Sequence, residues 1–341
     1  MSKPTVLITG ISGFIAKHCA VEMLNAGYRV RGTVRSLQRS TRVRDTLAQH
    51  TDTSRLEFAE ADLESDAAWN EALAGCAHVL HLASPFPVKQ PEDEQVLIRP
   101  AVQGTLRVLR AASAAGIERL VHTSSMVAVM YGHPHERTAP FTEADWTRVN
   151  SPGVTPYAKS KTLAEQAARD FMKDDRSGMH YSSVNPGFVL GPTLDRDMGT
   201  SAEIIGMFLR GKYPGAPRLS LPCVDVRDVA RMHRLALETS APSGGRYLGT
   251  AGSVWMIDIA RAIRAQLGEA ARKVPSRVLP DWVVKLVAFF DATARQSIPD
   301  LGREFRVDNA QTRQALGMTF IPAAEAAAAM ARSLVDLKLV N

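Results

Sequence analysis

Cysteine is scarce in this 341-residue chain: Cys19, Cys76 and Cys223 stand far apart, with no C-x-x-C spacing. An odd, scattered set argues against a disulfide framework or a zinc site and fits a reducing compartment. Long apolar runs are missing too. The longest, residues 282–290, is broken by Lys285 and is too short to span a bilayer. The chain enters its first strand within four residues, which leaves no room for a signal peptide. Cytoplasmic placement with no membrane partner is the expectation. No His/Asp/Glu spacing suggests a metal, and there are no internal repeats and no low-complexity tail.

Acid is absent from one particular place. Between Arg29 and Arg44 lie six arginines and no carboxylate, and that count equals the formal net charge of +6 for the whole chain. The remainder is therefore near balance. One local cluster suits a small phosphate better than a polymer backbone, and no aromatic stacking pattern or helix-turn-helix signal accompanies it. Nucleic acid is not an expected partner. With 45% apolar and 22% charged residues the chain can bury a large core.

What is present begins at the amino end. Residues 5–9, apolar and β-branched, read as a buried strand that runs into Gly10-Ile11-Ser12-Gly13 and then a helical pattern from Phe14 to Asn25. Gly10 can take tight-turn angles, and Gly13 lets backbone come close to a ligand. The free N–H groups of Phe14, Ile15 and Ala16 and the positive helix end suit a pyrophosphate, with Ala16 at the third glycine position of a dinucleotide fingerprint. Further strands read at 28–34, 55–60, 78–83, 118–124 and 180–184. They alternate with helices at 40–50, 65–74, 94–115 and 157–173. Such alternation implies right-handed βαβ crossovers and a doubly wound parallel α/β sheet, a Rossmann architecture, with ligands beyond the carboxyl ends of the strands. Past Pro192 the composition shifts, with helices expected at 226–238, 256–267, 280–295 and 322–337. The expected division is a dinucleotide-binding domain over 1–192, to which 226–250 contributes back, and a smaller substrate lobe over 193–341.

The residues at the sheet's carboxyl edge carry the chemistry. An NAD-binding second strand usually ends in an acid for the ribose 2′-hydroxyl. Here it ends in Val34-Arg35-Ser36, and an arginine would instead pair a 2′-phosphate, with Arg42 as a second cation. NADP(H) is the expected cofactor. Asp62 and Leu63 would face its adenine, and Leu82, Ala83 and Ser84 its middle. Tyr157 and Lys161 share one helix face, while Thr123-Ser124-Ser125 closes a strand at the same edge. A phenol is a poor acid–base near neutrality, and a neighbouring ammonium would lower its pKa. A serine hydroxyl can hold a carbonyl oxygen during reduction. Phe86, Met126, Phe208 and Tyr213 are candidates for an apolar pocket, with core packing the competing reading. His81 and His122 read as core residues.

Taken together, these motifs resemble the extended short-chain dehydrogenases/reductases, and within them the dihydroflavonol reductase, cinnamoyl-CoA reductase and aldehyde/ketone reductase branch. The matching text is Thr9-Gly-x-x-Gly-Phe-Ile-Ala16, Gly32-Thr-Val-Arg35, Ala83-Ser-Pro-Phe86, Thr123-Ser-Ser125, Tyr157-Ala-Lys-Ser-Lys161, Asn185-Pro-Gly-Phe-Val-Leu-Gly-Pro192 and Val224-Asp-Val-Arg-Asp-Val-Ala230. The resemblance implies Tyr157 as proton donor, Lys161 on the nicotinamide ribose, and Ser125, the second serine of its pair, on the substrate carbonyl. Thr123, Pro186, Gly187 and Val189 would lie around the nicotinamide, and Arg35 on the 2′-phosphate. The implied activity is NADPH-dependent reduction of a small-molecule aldehyde or ketone by a monomer or homodimer. Residues 126–130 are bulkier than the family's usual run, and 131–140 have no family meaning, so flavonoid specificity is not carried over. A nucleotide-sugar epimerase or dehydratase of the same superfamily and a non-catalytic NADP sensor are the competing readings.

Overall fold

In the computed structural model, residues 3–84, 93–290 and 292–340 are described. Seven parallel strands form the main sheet: β1 (Thr5–Thr9), β2 (Arg29–Val34), β3 (Leu56–Glu60), β4 (His78–His81), β5 (Arg119–Thr123), β6 (His180–Pro186) and a late strand, β9 (Gly245–Gly249). Their order is β3-β2-β1-β4-β5-β6-β9, so the winding reverses between β1 and β4. A crevice opens at such a reversal, beyond the strands' carboxyl ends.

Alternation along each strand feeds two apolar layers. Val6, Ile8, Leu80, Val121 and Val184 point to one side, where they meet α1 (Phe14–Asn25), α2 (Ser40–Ala48) and α7 (Val226–Glu238). Leu7, Val79, Leu120 and Tyr181 point to the other, against α3 (Trp69–Leu73), α4 (Gln95–Ala114) and α5 (Pro156–Asp174). Each fully buried aliphatic side chain in these layers contributes roughly 2 kcal/mol. All three cysteines are free and buried in the structure.

The remaining chain builds a smaller body. β7 (Phe188–Leu190) runs parallel to β8 (Ser220–Asp225), and β8 pairs antiparallel with β10 (Gly252–Trp255). A third apolar cluster joins this sheet to α6 (Thr200–Leu209), α8 (Met256–Leu267) and α12 (Ala323–Asp336). The helix expected over 280–295 is instead two short ones, α9 (Asp281–Val287) and α10 (Ala292–Ser297). The carbonyls of Ala288 and Phe289 accept from the Arg295 guanidinium at 3.0 and 3.3 Å, which takes the place of a continued helical ladder. α11 (Ala310–Leu316) returns to the large sheet, where Thr312 Oγ1 accepts from the Leu248 amide at 2.8 Å. Among the described residues no helix is long and apolar enough to cross a membrane.

Candidate active site

The turn after β1 is fixed from three sides. Gly10 has φ +64°, and a Cβ there would stand 3.0 Å from that of Ala83. Only glycine accepts both conditions. Its amide donates to Thr33 Oγ1 at 3.0 Å, and Thr9 Oγ1 accepts from the amides of Leu82 and Ala83 at 3.0 and 2.9 Å. The ends of β1, β2 and β4 are thereby tied together. Gly13 is the N-cap of α1 and no side chain caps the helix, so its first-turn amides face the crevice.

Two connected hollows meet over this turn. One, of about 490 Å³, runs from Gly10, Ser12 and Gly13 past Leu82, Ala83 and Ser84 to Asp62, Leu63, Arg35 and Arg39. The uncapped helix end, the glycine cradle and two exposed arginines form a donor set that fits a dinucleotide carrying an extra phosphate. Arg42 is not on this wall. It lies further along α2 and pairs with Asp197 at 3.7 Å, while Arg39, one helical turn earlier, lines the hollow.

The other hollow, of about 650 Å³, is lined by Phe14, Ile15, Thr123, Ser125, Met126, Tyr157, Gly187 and Val189. Thr155 Oγ1 caps α5 by accepting from the Ala158 amide at 3.2 Å, and Pro156 occupies the first turn. That start sets Tyr157 at the mouth and Lys161 one turn deeper. Ser125 follows β5, and its hydroxyl is hydrogen-bonded with Tyr157 and lies 3.4 Å from the Pro186 carbonyl it donates to. Pro186 is buried behind the wall that Gly187 lines. A Cβ on Gly187 would stand 2.1 Å from the Pro222 carbonyl oxygen, so this strand link must be glycine to pass β8. Lys161 Nζ donates to the Thr123 carbonyl at 3.3 Å.

Burial dominates the protonation of this group. It pushes the Tyr157 phenol up to about 12, against the opposing effect of the Ser125 hydrogen bond. It pulls Lys161 down to about 8, with Glu165 acting the other way. Burial sets the direction for the phenol, and the Lys161 ammonium one turn deeper is turned toward the Thr123 carbonyl.

Two pocket candidates lie elsewhere. Phe208 is wholly buried in the cluster beneath α6, and Tyr213 packs against it edge-on at 5.4 Å. Their apolar bulk is used in the core. Phe86 lies outside the described residues. Met130 and Tyr131, from the two stretches for which flavonoid specificity is set aside, line one side, and the walls that sequence reading missed are Phe188, Met198, Leu221 and Pro222 on the other. Phe188 sits inside the quoted 185–192 motif, but nothing local marks Leu221 or Pro222. The orphan segment 131–140 is pinned by His133 Nε2 to the Trp146 carbonyl at 3.0 Å and by His135 Nε2 to the Pro299 carbonyl at 2.6 Å. Among the described residues no cluster of His, Cys, Asp or Glu could hold a metal ion.

Comparison with known proteins agrees with this geometry. The model of the NAD dependent epimerase/dehydratase family matches residues 6–248. A ketoreductase of Aspergillus niger is 34% identical over 92% of this chain and 93% of its own. A tetraketide alpha-pyrone reductase of Arabidopsis thaliana is 32% identical over 89% and 92%. Among solved structures, Gre2 from Candida albicans in complex with NADPH superposes with a TM-score of 0.81 at 28% identity, covering 98% of this chain and 99% of that one. With its glycine turn, reversal-point crevice and full-length relatives, the chain belongs to the NAD dependent epimerase/dehydratase family, in the extended short-chain dehydrogenase/reductase branch.

Proposed function

We propose that this protein is an NADPH-dependent carbonyl reductase in which Ser125, Tyr157 and Lys161 act together. The observation that carries the reading is the Ser125–Tyr157 hydrogen bond, in the same cleft as the glycine turn and with Lys161 one helical turn behind. NADPH supplies a hydride to the carbonyl carbon when bound. The chain's own residues do the rest. A phenol pushed up to about 12 holds its proton at neutral pH, the state in which Tyr157 can donate it to the carbonyl oxygen. Ser125 Oγ–H hydrogen-bonds the same oxygen as charge develops on it. The Lys161 ammonium stabilises the phenolate that remains. Gly10, Ser12 and Gly13 with the α1 amides hold the pyrophosphate, Arg35 and Arg39 the 2′-phosphate, and Pro186, Gly187 and Val189 border the nicotinamide site.

Relatives that carry NADPH or are named reductases support the cofactor and the direction of reaction. Consumption of NADPH with a panel of aldehydes, diketones and keto esters tests the reading, and no turnover with any of them sinks it. A nucleotide-sugar epimerase would not consume the cofactor stoichiometrically. The larger hollow also lacks what that reaction requires, since its described lining includes no arginine or lysine for a diphosphate. Met126, Met130, Phe188 and Leu221 instead favour a carbonyl bearing an apolar group, chosen jointly by residues 126–131 and the lobe past Pro192.

Arg35→Asp is expected to lower kcat/KM for NADPH by about 100-fold and to raise the preference for NADH, because the substituted carboxylate repels a 2′-phosphate and accepts from a 2′-hydroxyl. An unchanged ratio of kcat/KM for the two cofactors would remove Arg35 from the phosphate site.

A further inference from the structure

One carboxylate lies wholly buried beneath the proposed triad, one helical turn beyond Lys161. Glu165 is 0% exposed. It accepts from Ser124 Oγ at 2.6 Å, Asn185 Nδ2 at 2.8 Å, Arg246 Nε at 2.8 Å, Ser183 Oγ at 3.0 Å and Arg169 Nε at 3.3 Å. A buried charge with this many donors is fixed in place and fixes its donors in turn. Two of them bear directly on Ser125. Ser124 is its chain neighbour, and Asn185 spends its other amide hydrogen on the Ser125 carbonyl at 3.2 Å. A third, Arg246, reaches the Ala128 carbonyl at 3.2 Å and the carbonyl of Asp145, and so holds the segment that follows Ser125.

We propose that Glu165 is a positioning residue for the reduction: through Ser124, Asn185 and Arg246 it locks the Ser125 loop against the end of β6, setting the hydroxyl in register with Tyr157. This rests on the reductase reading above. A purely structural ion pair would need Arg246 alone. The geometry here instead spends three further donors on the strand ends that carry Ser125 and Pro186.

A second consequence is electrostatic. Lys161 is faced by Tyr157 and Glu165 from its own helix, by His81 from β4 and by His122 from β5. Both imidazoles are held far below their ordinary value by burial, so they are neutral near pH 7. Burial works against the Glu165 carboxylate as well, but Arg246 and Arg169 outweigh it and keep the carboxyl below its usual range. Glu165 is therefore the anion that offsets the desolvation of Lys161.

The test cuts the network one link at a time. Ser124→Ala and Asn185→Leu leave Glu165 paired with its arginines. They should keep the wild-type melting temperature within a few degrees while kcat falls about tenfold and KM for NADPH stays within about twofold. Wild-type kcat in both folded variants overturns the proposal. Glu165→Gln should move the basic limb of the kcat profile to lower pH by about one unit, with Glu165→Asp restoring part of it. If Glu165→Gln does not fold, the two single-link variants decide. A readout independent of turnover is the Lys161 titration in the cofactor-free protein, followed by NMR of ¹³C-lysine with Lys161→Arg identifying the signal. Its midpoint should fall in Glu165→Gln, and an unchanged midpoint removes the electrostatic part. A wild-type protein that reduces no carbonyl would defeat the reductase reading, whereas this titration would still report the Glu165–Lys161 coupling.

Discussion

Tyr157→Phe is expected to lower kcat by about 1,000-fold while leaving the affinity for NADPH within about twofold of the wild type. The change removes one oxygen from the mouth of α5 and nothing from its packing. Ser125, which loses its phenol partner, keeps the Pro186 carbonyl at 3.4 Å and the Val127 amide at 3.3 Å, so the loop has no reason to move. What goes is the group that can hand a proton to the carbonyl oxygen. A rate loss of this size corresponds to about 4 kcal/mol of transition-state stabilisation. Steady-state turnover and fluorescence titration of NADPH measure the two quantities separately. Retention of more than a tenth of the wild-type kcat would mean that another group protonates the product, and the proposed triad would have to be abandoned.

The second large effect is acid unfolding. Five imidazoles are buried, and burial lowers every one of them, the His78 ring included. Desolvation lowers His18 and His233 to about 4 and His81 to about 3, and places His122 well below 6.5. Burial favours the neutral ring, and the neutral ring fits the partners present. His233 Nδ1 donates to the Val229 carbonyl at 2.7 Å, which leaves Nε2 to accept from Thr123 Oγ1 at 2.6 Å. His81 and His122 stack at 5.4 Å, where two positive charges would repel. In the unfolded chain each ring binds a proton near pH 6.5, and in the folded protein His18 and His233 bind one only near 4 and His81 near 3. The unfolded state therefore holds more protons between these limits, and stability rises with pH across the window. It is complete above about 6.5 and is lost as pH falls toward 4. At pH 4.5 His18, His81 and His233 each remove about 2 kcal/mol, so the three together rival the whole stability of an ordinary domain. Urea unfolding at pH 7, 6, 5 and 4.5 should show a steep decline, with roughly three protons taken up per molecule unfolded at pH 5.5. Stability that is flat from pH 7 to 5 would show that the rings are solvated or already charged in the folded protein.

How legible these features are in the sequence depends on the range of the forces behind them. The bounds of α1 and α7 agree residue for residue with the patterns read from the chain, and β1 does likewise. Each is set by hydrogen bonds within a few residues and by a strict apolar period. β7, β8 and β10 were not legible. They are 3, 6 and 4 residues long, β8 contains Pro222, and their pairing joins segments more than 25 positions apart. α6 was missed as well, since it starts at Gly199 without a capping side chain and carries Gly206 within it. In the cleft the same division appears. Tyr157 and Lys161 share one face because of helix geometry alone, but Ser125 reaches Tyr157 only because β5 and α5 are packed side by side by the sheet.

By itself the sequence determined the glycine turn between β1 and α1, the Tyr157/Lys161 spacing, the serine pair closing β5 and the arginine where an acid would otherwise stand. These are short-range facts of backbone angle, helical period and side-chain chemistry. Tertiary structure decided that Arg39 rather than Arg42 lines the smaller hollow, that Phe208 is core with Tyr213 packed against it, that Leu221 and Pro222 wall the larger hollow, and that Glu165 lies under Ser125. Each of these depends on which distant surface a side chain is buried against. Burial energy is proportional to area and indifferent to sequence separation, so no local pattern could have announced it.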